Sequence, residues 1–318
     1  TSSGMAAPVI RLLFNHEPSS LAANGAEADS SSATVILKLC CPSLLRIDRE
    51  GRLQPDLAES WDVLDDHREF HFRLRPGLRF HNGRTLDAAA AAACLRRILD
   101  PRWPSPLKAD LAGLEVIEAL DSRRLRLRFS QPHVDALETL AWRCYIVDDA
   151  AVQPVGAGPY EVTEWVPGSH VRLCRFSGHH DHGRFRHDEA LIRFAPRVAD
   201  RIAALRAGAA DIVETLPAGP ALDLAASGLA VPLAVHSPRK TVIAFRCTVP
   251  PFDDPRLRLA VAHALDREAI RARHLGPRGR PLNGVLPEDD PVGVALPAWP
   301  RDPGRARALL REAGHGAG

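Results

Sequence analysis

Four histidines and three carboxylic acids fall within thirteen residues of the sequence, S-G-H-H-D-H-G-R-F-R-H-D-E over Ser177–Glu189. Neutral imidazoles with a carboxylate are ligands that suit zinc, nickel and copper. Neighbouring histidines on a loop bind metals weakly and without selectivity unless further hydrogen bonds fix them. The pattern therefore favours a solvated loop at the edge of the fold and predicts no metal site. If the loop does bind a metal, the candidate ligands are His179, His180 and His182.

Motifs of the common enzyme classes are missing from the sequence. It has no G-x-S-x-G elbow, no phosphate-binding loop and no H-E-x-x-H pair. Its six cysteines show no C-x-x-C spacing, and adjacent Cys40 and Cys41 do not fit easily into one tetrahedral zinc site. His81 and His263 lie among apolar and helix-forming residues, which is typical of structural histidines. We predict a protein that is not an enzyme and that holds no cofactor.

Charge and hydropathy exclude two further classes. The 318 residues carry 41 basic and 39 acidic side chains, and the arginines are scattered through the sequence. This composition predicts no nucleic-acid partner. No window approaches the roughly 18 apolar residues of a membrane helix, so contact with a membrane is expected to be peripheral at most. A polypeptide of this length is long enough for two domains.

The elements that position these residues are a mixture of strands and helices. Val9–Phe14 has the apolar pattern of a buried strand, and Phe70–Phe80 alternates on both sides of a Pro-Gly pair, which predicts a hairpin. A helix is expected from an N-cap at Thr85, and another over Pro255–His274, where apolar residues recur at helical spacing. Because strands and helices do not alternate strictly, the predicted fold class is mixed α/β or α+β.

Six sequence blocks follow one another in a fixed order. They are G-R-L-Q-P-D-L-A-E-S-W from Gly51, F-R-L-R-P-G-L-R-F-H-N-G from Phe72, V-G-A-G-P-Y from Val155, L-R-A-G-A-A-D-I from Leu205, P-P-F-D-D-P-R-L-R-L-A-V-A-H-A-L-D-R from Pro250, and D-P-G-R-A-R-A-L-L-R-E-A-G from Asp302. Together they resemble the family 5 extracytoplasmic solute-binding proteins of ABC transporters. That family includes oligopeptide-, dipeptide- and nickel-binding proteins.

The resemblance implies a periplasmic-binding-protein-like fold of type II, cluster C, with two lobes that close over a ligand by hinge motion. Residues 1–34 and 152–238 would form the core of lobe I, and residues 35–151 a subdomain inserted into it. Residues 239–318 would begin lobe II. Because members of the family usually run well past the block that starts at Asp302, we expect an incomplete second lobe and a truncation at the C-terminus.

The implied function is capture of a peptide or similar small solute in the periplasm or another extracytoplasmic space, and delivery to an ABC permease. Two alternatives stay open, a nickel- or metallophore-binding protein of the same family and a solute-sensing regulatory protein. The N-terminus has neither the basic start nor the apolar stretch of a signal peptide. Either a signal was removed or Met5 is the native start.

Five residues are candidates for contact with the solute. Glu27 and Asp29 fall in an N-terminal segment that departs from the family pattern, and Trp142, Arg143 and Tyr145 precede the V-G-A-G-P-Y turn. An aromatic ring beside a guanidinium suits the carboxylate of a peptide, because the ring can stack while the guanidinium pairs with the charge.

Overall fold

Strands and helices both contribute to the computed structural model, which describes residues 9–25, 30–148, 154–233, 242–274, 279–280, 282 and 299–315. The strands are β1 (Val9–Phe14), β2 (Leu45–Ile47), β3 (Leu53–Pro55), β4 (Ala58–Leu64), β5 (Glu69–Leu74), β6 (Leu114–Ala119), β7 (Arg124–Phe129), β8 (Tyr160–Val166), β9 (His170–Arg175), β10 (Glu189–Phe194) and β11 (Ile212–Val213). The helices are α1 (Ser31–Cys40), α2 (Ala88–Leu99), α3 (Leu107–Asp110), α4 (Ala136–Trp142), α5 (Val198–Arg206), α6 (Ala218–Ala226), α7 (Pro255–Ala264), α8 (Arg267–His274) and α9 (Pro303–Glu312). This confirms the predicted mixed α/β class.

The protein divides into two compact units, residues 1–215 and 216–318. In the first unit a five-stranded sheet has the order β11-β1-β10-β9-β8. Strand β1 pairs in parallel with β10 and β11, whereas β9 is antiparallel to both of its neighbours. The predicted strand over Val9–Phe14 is thus confirmed.

A second sheet in the same unit has four strands in the order β4-β5-β7-β6, all antiparallel. Alternate residues of its central strands, such as Phe70, Phe72, Leu125 and Leu127, are fully buried, and helix α2 packs against β6 and β7. The large apolar side chains of this face and the helix exclude water from the core.

The predicted hairpin at Phe70–Phe80 is wrong. Strand β5 ends at Leu74, and beyond the Pro-Gly turn only Arg79 makes a single bridge, to Thr85. The reason is that both edges of β5 are already paired, one with β4 and the other with β7. A returning strand therefore has no edge on which to form its hydrogen bonds.

Two further predictions, both about where helices begin, are wrong. Helix α2 is capped by Asp87, whose carboxylate accepts from the Ala90 amide at 2.9 Å, and not by Thr85. In the second unit the expected single helix over Pro255–His274 is two helices, because Asp266 caps α8 by accepting from the Ala269 amide at 2.9 Å. A new capped start ends the continuous helical run.

Helices make up the regular structure of the described part of the second unit, where α7 packs against α9. Leu257, Ala260, Ala306 and Leu309 are buried between them. The expected start of lobe II at residue 239 lies within 234–241, outside the described residues, so the predicted division into lobes and subdomain stays a prediction. Each helix in the described ranges is too short or too polar to cross a membrane.

Candidate functional site

Three of the five predicted solute contacts lie at the end of α4. Trp142 is its last residue, Arg143 its C-cap, and Tyr145 follows two residues later. Trp142 is half exposed, Arg143 is part-buried, and Tyr145 is buried. Glu27 and Asp29 fall in residues 26–29, outside the described ranges, and so remain predictions.

The N-terminal segment is fixed to Tyr145 by Asn24. The side-chain amide of Asn24 donates to the Tyr145 carbonyl oxygen at 2.8 Å, and its oxygen accepts from the Tyr145 amide at 2.9 Å. Both residues are buried, and the Asn24 side chain pairs with the N–H and C=O groups of Tyr145 as a neighbouring strand would. Asn24 was not among the predicted site residues, although the Asn24-Gly25 pair is a turn signal and Asn24 has the positive φ that such turns use.

This arrangement leaves a crevice of about 10 Å³ bounded by Asn24, Gly25, Pro106, Leu107, Arg143 and Tyr145. A space of that size holds roughly one water-sized group. The crevice can therefore receive one terminal group of a solute, such as a carboxylate oxygen beside the Arg143 guanidinium. It is too small to enclose a whole peptide.

Trp142 lies next to this crevice without lining it, and contacts Lys38 of α1 instead. The Lys38 ammonium is 4.1 Å from the centroid of the Trp142 ring, which is cation–π geometry. Burial, reinforced by the positive charge of Arg143, lowers the pKa of Lys38. Arg143 is thus close enough to Lys38 to affect its pKa electrostatically.

A second and larger cavity, of about 440 Å³, is also lined by Tyr145. Its other walls are the C-terminal end of α1, residues 42–47, Asp56, Arg75 and the histidine-rich segment from His179 to Phe185. The structure thus brings together two groups of residues that the sequence suggested for different roles, Tyr145 for solute contact and His179 with His180 for metal.

The histidine-rich segment is a loop between β9 and β10, as predicted, but His179 is not solvated. Its side chain is 8% exposed, its Nδ1 accepts from the Asp181 amide at 3.1 Å, and its ring meets Phe185 edge-on at 5.6 Å between centroids. Burial lowers the pKa of His179 to about 4, so the imidazole is neutral at pH 7. Packing against an aromatic ring removes it from water.

Two of the three candidate metal ligands in this loop, His179 and His180, have described side chains. Within the described ranges no group of three or more histidine, cysteine, aspartate or glutamate residues is arranged to hold an ion. His180 is exposed, and its ring centroid lies 4.3 Å from that of His179, which leaves a two-histidine pair. The side chain of His182 is outside the described part, so its role as a candidate ligand stays a prediction.

Asp56 is one of two aspartates that line the cavity. Its Oδ2 accepts from the Ser43 amide at 3.3 Å, and its backbone oxygen accepts from Arg75 Nε at 2.7 Å. Burial raises the pKa of Asp56 to about 6, against the opposing effects of the Ser43 bond and the positive charges of Arg46 and Arg75. Asp56 and Arg75 were noted in the sequence only as members of the blocks that carry the family resemblance, and their place in a cavity wall was not predicted.

Comparison with known protein families identifies the fold. The model of bacterial extracellular solute-binding proteins, family 5 middle region, matches residues 52–318. The glutathione-binding protein GsiB of Escherichia coli K12 is 28% identical over 299 residues, which cover 91% of this chain and 58% of GsiB. GsiB of Salmonella paratyphi A is 27% identical over the same shares. The chain thus spans a little over half the length of these curated relatives.

Solved structures agree. AgaA from Agrobacterium, in complex with agropinic acid, has a TM-score of 0.79 and 28% identity, over 98% of this chain and 65% of AgaA. NikZ from Campylobacter jejuni, in complex with Ni(L-His), has a TM-score of 0.82 and 19% identity, over 96% of this chain and 63% of NikZ. DppA from Helicobacter pylori, in complex with the peptide STSA, has a TM-score of 0.79 and 20% identity, over 98% of this chain and 67% of DppA. The last two show the fold alone. The chain belongs to the family 5 bacterial extracellular solute-binding proteins.

Proposed function

We propose that this protein belongs to the extracytoplasmic solute-binding component of an ABC importer, and that it captures a peptide or similar small solute through a carboxylate group. The solute is passed unchanged to a membrane permease. The observation that carries the proposal is the crevice beside Arg143 and Tyr145, because it lies at the residues proposed for solute contact and has room for one terminal group.

Arg143 supplies the charge that a carboxylate needs. A guanidinium presents a planar fork of N–H donors, so it can hold both oxygens of a carboxylate, and hydrogen bonds between charged groups are stronger than neutral ones. Part-burial of Arg143 favours such a pair, because screening by water is weaker there than on an open surface. The exposed face of Trp142, the preceding residue, offers a surface on which a side chain of the solute can stack.

Tyr145 keeps the crevice in one conformation, so the crevice can discriminate between solutes. Its backbone is fixed on both sides by Asn24, and its own side chain is only 3% exposed. A preformed site loses little conformational entropy when it binds, so more of the interaction energy is retained as affinity. The curated relatives support the solute class, because GsiB is a glutathione-binding protein and glutathione carries carboxylates.

A thermal-shift screen tests the proposal. The 318-residue protein is melted with glutathione, with di- to pentapeptides and with nickel–histidine. A ligand that binds only the folded state stabilises it by about 2.7 kcal/mol at a hundred times its dissociation constant, which raises the melting temperature by several degrees. We expect at least one carboxylate-bearing peptide to produce this shift.

Two variants and a control locate the effect. Arg143→Ala is expected to abolish the shift, and Arg143→Lys, which keeps the charge without the planar fork, to retain part of it. Arg49→Ala removes an exposed arginine that does not line the crevice and should leave the shift unchanged. A cooperative melt that no peptide moves, or an undiminished shift in Arg143→Ala, would overturn the proposal. A shift with nickel–histidine alone would favour metal capture instead.

A further inference from the structure

The 440 Å³ cavity beyond Tyr145 is large enough for a ligand of its own. Cavities that bind small molecules usually measure about 300–1,000 Å³ and combine an apolar lining with a few convergent polar groups. Leu39, Leu45, Ile47 and Phe185 supply apolar lining here. All of its lining residues belong to the first unit, and the crevice that we propose for the solute is a separate space.

Positive charge dominates the polar part of this lining. Four cationic side chains, those of Lys38, Arg46, Arg75 and Arg184, face two carboxyls, Asp56 and Asp181. His179 adds no charge at neutral pH, because burial lowers its pKa to about 4, and partial desolvation lowers the pKa of the exposed His180. The excess of cations would attract an anion and repel a cation.

The arginine side chains of this lining have unused hydrogen-bond donors. Within the described ranges, the guanidinium groups of Arg46 and Arg184 make no hydrogen bond or ion pair, and Arg75 uses only its Nε, toward the backbone of Asp56. Arg46 and Arg184 are exposed at the mouth, whereas Arg75 is part-buried. A part-buried guanidinium with its two terminal nitrogens unpaired is a preformed receptor for an oxygen-rich anion.

Tyr145 supplies an independent observation. Its side chain is 3% exposed and lines the cavity, and its hydroxyl has no hydrogen-bond partner among the described residues. A buried hydroxyl without a partner is unfavourable, so such groups usually mark a place where a water or a ligand atom belongs. An oxygen atom bound in the cavity would provide the missing acceptor.

From this geometry we infer that this cavity binds a small oxyanion, a carboxylate or a phosphate. Its walls are α1, residues 42–47, Asp56, Arg75 and the histidine-rich segment. Arg75 and Tyr145 contact it from the inner wall, and Arg46 and Arg184 close over it from the mouth. The site is additional to the proposed solute crevice and does not depend on it.

Binding should strengthen as the pH falls. Asp56 faces the Ser43 amide, Arg46 and Arg75, and shares the cavity with Lys38, Arg184, His179, His180 and Asp181. Because the pKa of Asp56 is about 6, this carboxyl takes up a proton as the pH falls from about 7.5 to about 5.5, and one negative charge is lost from the site. His179, whose pKa is about 4, gains positive charge at still lower pH, which acts in the same direction.

Titration calorimetry with defined anions tests the inference on the 318-residue protein. Inorganic phosphate and malonate at about pH 7.5 separate the two sources of oxyanion, and sulfate, whose charge is constant over the range, serves as the probe at about pH 7.5 and about pH 5.5. We expect one of phosphate and malonate to bind with a millimolar or tighter dissociation constant. Sulfate should bind at least threefold more tightly at the lower pH than at the higher.

Matched double variants identify the site. Arg46→Ala with Arg184→Ala should weaken anion binding at least tenfold, and Arg49→Ala with Arg186→Ala, two exposed arginines nearby in sequence that do not line the cavity, less than twofold. Asp56→Asn keeps the shape of the carboxyl and should tighten sulfate binding at the higher pH while removing most of its pH dependence.

If anion binding weakened equally in both double variants, the effect would be one of net charge and the inference would be overturned. The inference would also be overturned if none of the three anions bound with a millimolar or tighter dissociation constant. The solute proposal is judged separately, because the peptide-induced thermal shift depends on Arg143 and should survive loss of Arg46 and Arg184.

Discussion

Replacing Gly158 by alanine tests how closely the V-G-A-G-P-Y turn approaches helix α1. The Gly158 amide donates to the Cys40 carbonyl oxygen at 2.8 Å, and the Gly158 carbonyl oxygen lies 3.1 Å from His81 Nε2. A Cβ on Gly158 would be 2.6 Å from the Cys40 carbonyl carbon and 2.7 Å from its oxygen. Both are backbone atoms that cannot rotate away, so the turn and the helix end would have to separate.

The distances set the size of the effect. Ordinary contacts of a Cβ begin near 3.4 Å, so the two backbones must move apart by most of an ångström. Overpacking of this kind costs about 1–3 kcal/mol, and weakening the bond to Cys40 adds about 0.5–1.5 kcal/mol. We expect Gly158→Ala to lower the free energy of unfolding by about 2–4 kcal/mol and the melting temperature by about 5–15 °C.

Thermal denaturation followed by circular dichroism measures this change, and Gly183→Ala is the control. Gly183 does not have a positive φ, and an added Cβ there meets no atom within 4 Å. Its substitution should change stability by less than about 0.5 kcal/mol. If Gly158→Ala melted within a degree of the parent, the close approach of the turn to α1 would be refuted.

Three further changes test the packing and the charges of the first unit. Glu69 accepts hydrogen bonds from Arg126 and two other basic side chains, which lowers its pKa to about 2. Glu69→Gln should lower the free energy of unfolding by about 1 kcal/mol at pH 7. Urea titrations should show this difference shrinking as the pH falls from about 4.5 towards 2. Leu37→Ala, at a fully buried position of α1, should cost about 2–5 kcal/mol in the same assay. Trp142→Ala should cost only about 0.5–1 kcal/mol, since it removes the contact with Lys38 at a half-exposed site; a loss above about 2 kcal/mol would contradict that placement.

Local pattern predicted the elements well where neighbouring residues decide the structure. The apolar run of β1 is specified by its own side chains. The start of α9 is local in the same way, because Asp302 caps the helix and Pro303 lies in its first turn. The hairpin after Phe70 failed because pairing depends on which strands already occupy the edges of β5, and β7 lies far away in sequence. The long helix after Pro255 failed because the capping role of Asp266 competes with helical periodicity, and periodicity alone does not reveal it.

The candidate site also combines residues that a local pattern suggests with residues that only the folded structure brings together. Arg143 and Tyr145 were predicted as solute contacts because an aromatic residue beside an arginine precedes a turn, and that role stays a prediction. Asp56 and Arg75 were not, because the blocks that contain them specify the fold, and only the folded structure shows that they line one cavity with His179. Asn24 was missed for a similar reason, since its two bonds reach across more than a hundred residues to the backbone of Tyr145.

Hydrogen–deuterium exchange of the 318-residue protein, with and without the peptide that gives the largest thermal shift, tests the central claim most directly. Exchange of backbone amides reports local opening, and a bound solute protects the segments that it contacts. We predict protection in residues 22–25 and 142–146, which frame the crevice, and loss of that protection in Arg143→Ala. Protection confined to other segments, with unchanged exchange in these two, would contradict the account.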